Sequence, residues 1–340
     1  MTFDTANSEA SNAPAHGLPV ASQYAAATDG AAFRLMPERT VVRVSGEDRV
    51  GFMHGMCSQD IKALKPGTVS YGLLLTERAH VVADFYVCAR EQELLLEFDR
   101  ELWPPAREQL EKLIVADDVE LLADESLSVL EIQGNAAARA IERAPSPAVA
   151  MPERSHFVTA DDLILASFDR RGCRGFTLLG EHAAVRGFMA RLGRADADPR
   201  ALEVGADALE IVRVENGIPR VGVDTDAKTI ALEARLEAGI SFAKGCYLGQ
   251  ETVERVSAHG QLRKRLFGLR VRSEREVERR AAVLLAGKEV GRVSSAALSA
   301  RLGSLALAIL HHSAWAANTE VTIEDSKGML AAVVSDLPFS

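Results

Sequence analysis

The sequence predicts an α+β protein in which a two-part ferredoxin-like N-terminal module is followed by a C-terminal antiparallel β-barrel. Three observations predict it. The order strand, helix, two or three strands, helix occurs twice in the first two hundred residues, with short polar turns between elements. From Leu266 onward the texture changes to short β-type runs punctuated by turn residues every eight to twelve positions, which is the spacing of a small barrel. Finally, 340 residues with 47% hydrophobic and 26% charged side chains suffice for more than one domain of ordinary size.

In order, residues 1–30 are rich in small residues with Pro14, Gly17 and Pro19, and read as a disordered tail. They have no Arg or Lys and no apolar core of seven, so they lack the features of a presequence. Phe33 to Val44 reads as one strand. Ser45, Glu47 and Asp48 then open a helix carrying Phe52, Met53 and Met56 toward a stop at Pro66-Gly67. Tyr71 to Leu75, His80 to Cys88 and Leu94 to Phe98 form a predicted meander, and Pro104-Pro105 heads a helix over Ala106 to Val115. The second cycle runs from the strand at Leu127–Ile132 through a helix near Ala136–Ile141. Strands at Leu163–Phe168 and Gly175–Leu179 follow, then a helix from Glu181 to Leu192. Ala201 to Val214 has helical spacing and ends at Asn216-Gly217-Ile218-Pro219. The predicted organisation is a tail over 1–30, a two-part module over 31–260 and the barrel over 261–340.

Composition excludes several classes of function. Every apolar run is interrupted well before eighteen residues, so no membrane helix and no membrane partner is expected. A net charge of −9 disfavours general coating of nucleic acid, which needs clustered Lys and Arg. Cys57, Cys88, Cys173 and Cys246 lie far apart, a spacing that matches neither a disulfide framework nor a zinc site and suits a reducing cytoplasm.

The most informative stretch is Lys244-Gly245-Cys246-Tyr247-Leu248-Gly249-Gln250-Glu251. Glycines flank the cysteine region and a helix pattern starts near Leu248, which would put the thiol close to the positive end of a helix dipole with Lys244 beside it. Read alone, Cys246 is either reactive or an ordinary structural thiol. Asp84 sits within the apolar run His80–Val87, where a carboxylate needs a partner or a function. Read alone, Tyr71 fits a strand core and Glu215 fits an ion pair near a helix end. The run Arg263-Lys264-Arg265 concentrates positive charge without interleaved aromatics, so direct nucleic-acid binding is disfavoured against a solvated strand edge or an anion-tail site.

The octapeptide resembles the signature of the YgfZ-type folate-binding proteins, relatives of the glycine-cleavage T-protein, an aminomethyltransferase. Phe52-Met53-His54-Gly55 through Ser58-Gln59-Asp60, Tyr71 to Asp84, Arg213-Val214-Glu215-Asn216-Gly217-Ile218-Pro219, and Gly291 through Ala308 are similar to further segments of that family. The resemblance implies a ring of the N-terminal module and the barrel around a pocket for tetrahydrofolate or a one-carbon derivative. It places Tyr71, Asp84, Glu215, Arg213, Lys244, Gln250 and Arg265 as candidate cofactor-binding residues and Cys246 as the candidate catalytic residue. A pterin offers a ring N–H and an adjacent amino group, and the resemblance gives Glu215 the part of accepting both. The chain departs from the family at Arg78-Ala79-His80, where glycine is usual in a turn requiring positive φ, so a different loop geometry is expected. Ala83-Asp84 carries one acid where the T-protein has two.

The function implied is a tetrahydrofolate-binding accessory protein that supports assembly or repair of iron–sulfur enzymes, and through them tRNA modification, with iron–sulfur client or assembly proteins as partners. The alternative is aminomethyltransferase-type one-carbon transfer. A folate domain of a larger amine oxidase would need a flavin chain from elsewhere, since no Gly-x-Gly-x-x-Gly fingerprint occurs.

Overall fold

The computed structural model describes residues 18–144, 150–194, 197–260 and 262–339. The chain opens with a helix, α1 (Val20–Thr28), and a short strand, β1 (Ala32–Leu35). The first α+β unit follows as β2 (Arg39–Ser45), α2 (Arg49–Met56), the meander β3 (Val69–Leu75), β4 (Val81–Ala89) and β5 (Leu94–Asp99), then α3 (Trp103–Glu111) and β6 (Glu120–Ala123). These strands form one sheet in the order β3-β4-β5-β2-β6.

The second unit repeats the plan with β7 (Leu127–Gln133), α4 (Ala137–Arg143), the meander β8 (Phe157–Ala160), β9 (Leu163–Ser167) and β10 (Gly175–Glu181), and α5 (His182–Leu192). With β1 and β11 (Leu202–Glu203) it forms a six-stranded sheet, β11-β1-β7-β10-β9-β8. In both sheets the first strand of the unit lies antiparallel beside the third strand of the meander, β2 beside β5 and β7 beside β10. The two cycles read from the sequence are thus one topology used twice.

Alternation along these strands gives each sheet two chemically different faces. On β4, Ala83, Phe85 and Val87 join the core beneath α2 and α3, while Tyr86 and Cys88 on the opposite face join Val129, Ile164 and Phe168 of the second unit. The sheets therefore pack face to face. Polar residues two positions along from this inner apolar set, Asp84, Glu97 and Glu131 among them, share its face and are carried into the interface by the strand period.

After α6 (Ala206–Glu215), a non-repetitive segment leads to α7 (Gln250–His259) and the closed barrel β12-β15-β14-β13-β16-β17. The barrel strands are β12 (Lys264–Val271), β13 (Ala282–Leu285), β14 (Lys288–Ser299), β15 (Gly303–His311), β16 (Glu320–Asp325) and β17 (Gly328–Ser335), which covers every β-type run predicted after Leu266. Among the described residues no helix is long and apolar enough to cross a membrane.

Four expectations are corrected. Residues 20–28 of the predicted tail are helical and packed against α6, because Tyr24, Ala26 and Ala27 share a core with Ala208, Leu209 and Val212; residues 1–17 lie outside the described residues. The single strand expected over 33–44 is two strands in two sheets, divided at Met36-Pro37-Glu38, where proline removes a ladder donor. The helix α2 ends at Met56 rather than near Pro66, and Asp48 accepts from the Asp118 N–H instead of capping it. Of the helix expected from Ala201, residues 202–203 are strand β11.

Candidate functional site

A cavity of about 380 Å³ opens where the inner faces of the two sheets meet the segment after α6. Tyr71 of β3 and Asp84 of β4 line it, together with Ser70, Tyr86, Phe168 and several arginines. Tyr71 and Tyr86 are cross-strand partners and Asp84 lies one pair along on the same face, so strand pairing alone brings the three together. The Tyr71 hydroxyl donates to Asp84 Oδ2 at 2.9 Å. The other carboxylate oxygen makes no hydrogen bond to another described residue, and neither the Ser70 nor the Tyr86 hydroxyl has a partner among them.

The supports of this pair come from segments distant in sequence. Gln59 Nε2 donates to the Tyr71 carbonyl at 2.9 Å, and the Ser58 hydroxyl donates to the Gly239 carbonyl at 2.6 Å. A Cβ on Gly239 would stand 2.8 Å from Leu73 and 3.1 Å from Tyr71, so only glycine lets this segment close on the site. Burial pushes the Asp84 carboxyl above its ordinary range, against the opposing pull of Arg39 and of the Tyr71 hydrogen bond. Burial, then the neighbouring Asp84 charge, pushes the Tyr71 phenol well up. Burial likewise carries Tyr86 to about 12.

The back wall is a charged tie between the sheets. Arg170 Nη2 reaches Glu97 Oε1 at 2.6 Å, and Arg39 Nε reaches the same oxygen at 2.9 Å. Arg171 forms a two-point pair with Glu131 at 2.8 and 2.9 Å. The Arg170 guanidinium also lies 4.9 Å from the centre of the Tyr86 ring, which stacks on Phe168 at 3.9 Å. Burial works to raise Glu97, yet Arg170 and Arg39 hold it below the ordinary carboxylate range. At the cavity edge Arg220 pairs with Asp99 at 2.9 Å. The sequence reading missed Arg39, Glu97, Tyr86 and Arg170, although the signal that singled out Asp84, an acid within an apolar strand, also marks Glu97 in Leu94–Phe98.

The other predicted site residues lie elsewhere or are already engaged. Glu215 does not line the cavity. Its buried carboxylate accepts from the Tyr24 hydroxyl at 2.9 and 3.0 Å and from the Ser299 hydroxyl, and it pairs with Arg301 at 3.2 Å, so it joins α1 and α6 to the barrel. Arg213 reaches the cavity wall, but its guanidinium binds Asp224 at 2.8 Å and Ser295 and Glu210 at 2.6 Å. Lys244 is buried with its ammonium on the carbonyls of His54, Cys57 (2.7 Å) and Gln59 (3.0 Å), fastening the signature loop to the end of α2. Gln250 pairs with Glu254 on the surface of α7 at 2.6 Å, and Arg265 pairs with Glu237 at 3.2 Å; neither lines the cavity.

Cys246 is exposed, and it too is outside the cavity lining. It precedes α7 by four residues, with Gly249 as the N-cap, so the thiol does not sit at the helix terminus. Gly249 adopts φ +88°, and a Cβ there would stand 2.6 Å from the Thr76 carbonyl, so the signature loop packs directly on the β3–β4 turn. In that turn Ala79 itself takes φ 60°, with its N–H on the Thr76 carbonyl at 2.8 Å. Where a glycine was expected for positive φ, alanine itself takes the left-handed conformation.

Comparison with known proteins is consistent across the chain. Residues 36–244 match the GCVT N-terminal domain and residues 264–340 the glycine cleavage T-protein C-terminal barrel domain. A tRNA-modifying protein YgfZ from Hamiltonella defensa is 28% identical over 69% of this chain and 68% of its own. An aminomethyltransferase from Bacillus cytotoxicus is 26% identical over 88% and 83%. The crystal structure of the glycine cleavage system aminomethyltransferase T from Bartonella henselae superposes with a TM-score of 0.86 at 21% identity, covering 96% of this chain and 91% of that one.

Proposed function

From the premise that the chain belongs to the glycine cleavage T-protein family, we propose that it binds tetrahydrofolate, or a one-carbon derivative of it, in the cavity between the two sheets. We propose further that it serves as an accessory protein for iron–sulfur enzymes and, through them, tRNA modification. The observation that carries this reading is the Tyr71–Asp84 pair in a cavity with arginines in its walls.

The donor set fits the cofactor. A pterin presents two adjacent N–H donors, and Asp84 offers an oxygen free of other residues beside one that already accepts from Tyr71. Among the described residues the Ser70 and Tyr86 hydroxyls have no partner, and Arg220 and Arg154 at the cavity edge, each paired with one acid (Asp99 and Asp169), keep further N–H donors for a carboxylate-bearing tail. Bound there, tetrahydrofolate supplies a carrier for a one-carbon unit. The chain's own contribution is to orient the ring through Asp84 and to hold Asp84 in place through Tyr71 and Gln59. Cys246 offers a thiol to a partner from a loop fixed by Lys244 and Gly249. One cysteine cannot hold a cluster alone, so any cluster contact is shared with the iron–sulfur client or assembly protein.

A second reading, aminomethyl transfer to tetrahydrofolate, draws on the aminomethyltransferase relatives. The two separate in one experiment. Cells lacking the protein are complemented with wild type, Cys246→Ala or Asp84→Ala, iron–sulfur enzyme activity is measured, and each purified protein is assayed with aminomethyl donors. The accessory reading expects Cys246→Ala and Asp84→Ala both to fail in complementation, with no aminomethyl turnover by the wild type. Turnover by wild type and Cys246→Ala alike would establish the transferase reading instead.

A further inference from the structure

One end of the barrel gathers positive charge. Lys264 on β12 is the cross-strand partner of His311 on β15, and the His312 N–H donates to the Arg263 carbonyl at 2.9 Å. Lys288 opens β14 at the same end, three residues before Gly291, the cross-strand partner of Leu310 next to His311. Arg263, Lys264, Lys288 and His312 are exposed. Among the described residues Arg263, Lys264 and Lys288 make no ion pair, whereas Arg272, Arg275 and Arg292 of the same barrel are each paired with an acid. Lys264 feels the charges of Asp226 and Glu233 but forms a salt bridge with neither, and both carboxylates also accept backbone N–H groups, from Lys228 at 2.8 Å and from Ile230 at 3.2 Å. Three unpaired cations held together in a chain of net charge −9 call for an anionic partner.

Aromatic rings lie inside this patch. The His311 and His312 rings are 4.1 Å apart, and the half-buried Trp315 stands edge-on to His312 at 6.3 Å, packed on Phe267 of the barrel core at 5.9 Å with its Nε1 donating to the Leu310 carbonyl at 2.8 Å. The sequence reading found no aromatics interleaved with Arg263-Lys264-Arg265, because these rings arrive from β15 and the turn after it. None of the exposed large apolar side chains belongs to the patch, so it lacks the apolar anchor of a protein interface. Cations for phosphates beside flat rings for bases are what unpaired, splayed nucleotides require, and single-stranded RNA is the form that presents them.

We propose that the barrel surface formed by Arg263, Lys264, Lys288, His312 and Trp315 is a binding site for single-stranded RNA, separate from the cavity between the sheets.

The test is fluorescence anisotropy with a labelled twelve-nucleotide oligouridylate and the full chain, across a salt series. Three phosphate contacts give a slope of log affinity against log salt of about −2. The triple variant Arg263→Ala, Lys264→Ala, Lys288→Ala is expected to bind at least tenfold more weakly with a flatter slope, while Arg272→Ala, a paired arginine of the same barrel, binds as wild type. Trp315→Ala is expected to weaken binding at low and high salt alike. Lys264→Glu gives a second variant, and unchanged melting temperature and tetrahydrofolate affinity show that fold and cavity are intact. No binding by wild type at 50 mM salt, equal binding by the triple variant, or an acidic glutamate peptide or duplex DNA bound as tightly as the RNA would each overturn the proposal.

Discussion

The hydroxyl of Tyr71 and the carboxylate of Asp84, on neighbouring strands of the first sheet, form a 2.9 Å hydrogen bond in the cavity between the two sheets. Among the described residues Tyr71 is the one hydrogen-bonding neighbour of the Asp84 side chain. Tyr71→Phe deletes that hold without changing the ring, so its expected effect is a several-fold loss of tetrahydrofolate affinity with little change in stability, measured by titration beside a thermal melt.

The Glu97 tie makes stability depend on pH in the acid range. Glu97 and Glu131 are held below their ordinary pKa of 4.5 in the folded protein, opposed by burial and carried by Arg170 and Arg171. Their contribution is therefore complete above about pH 4.5 and is lost as the pH falls through their folded values. Asp84 is shifted upward and acts in the opposite sense over the acid range, offsetting part of the loss. Glu97→Gln leaves Arg170 and Arg39 without their shared counter-charge and is expected to destabilise by about 3 kcal/mol at pH 7. Its stability profile should also be flatter between pH 5 and 3, as read from urea midpoints at each pH.

Lys244 acts on the fold rather than on the cavity. Lys244→Met leaves three carbonyls at the end of α2 without their donor, with an expected cost of about 2–4 kcal/mol in denaturant unfolding. Lys244→Arg is not expected to restore it, because a planar guanidinium cannot point at three converging carbonyls as an ammonium does.

The four thiols differ in access. Cys57 and Cys88 are buried, and burial pushes them up to about 11 and about 12; Cys173 is partly buried and also at about 11. In the native protein iodoacetamide is expected to label Cys246 first, and Cys57 and Cys88 only on unfolding, as mass spectrometry of timed digests would show.

Much of the fold is legible in the sequence where pattern is local. The meander β3-β4-β5 and all six barrel strands follow from alternation and turn residues, and Pro104-Pro105 marks the head of α3. What escapes is set by partners far along the chain. The helix α1 looks like a tail because its alanines carry little amphipathic signal, and its packing on α6 fixes it. Within the site, Asp84 is visible as an acid in an apolar strand, whereas Arg170 and Arg171 look like loop residues until the fold brings them to Glu97 and Glu131, 73 and 40 residues away. Glu215 illustrates the reverse, a residue matched by motif whose carboxylate is occupied by Tyr24, Ser299 and Arg301.

Whether Asp84 holds the folate is decided by calorimetric titration of tetrahydrofolate into wild type, Asp84→Ala and Glu215→Ala. Saturable binding is expected for wild type, at least tenfold weaker binding for Asp84→Ala, about 1.4 kcal/mol or more, and near wild-type affinity for a less stable Glu215→Ala protein. Equal affinity in wild type and Asp84→Ala, or loss in Glu215→Ala alone, would contradict that role for Asp84.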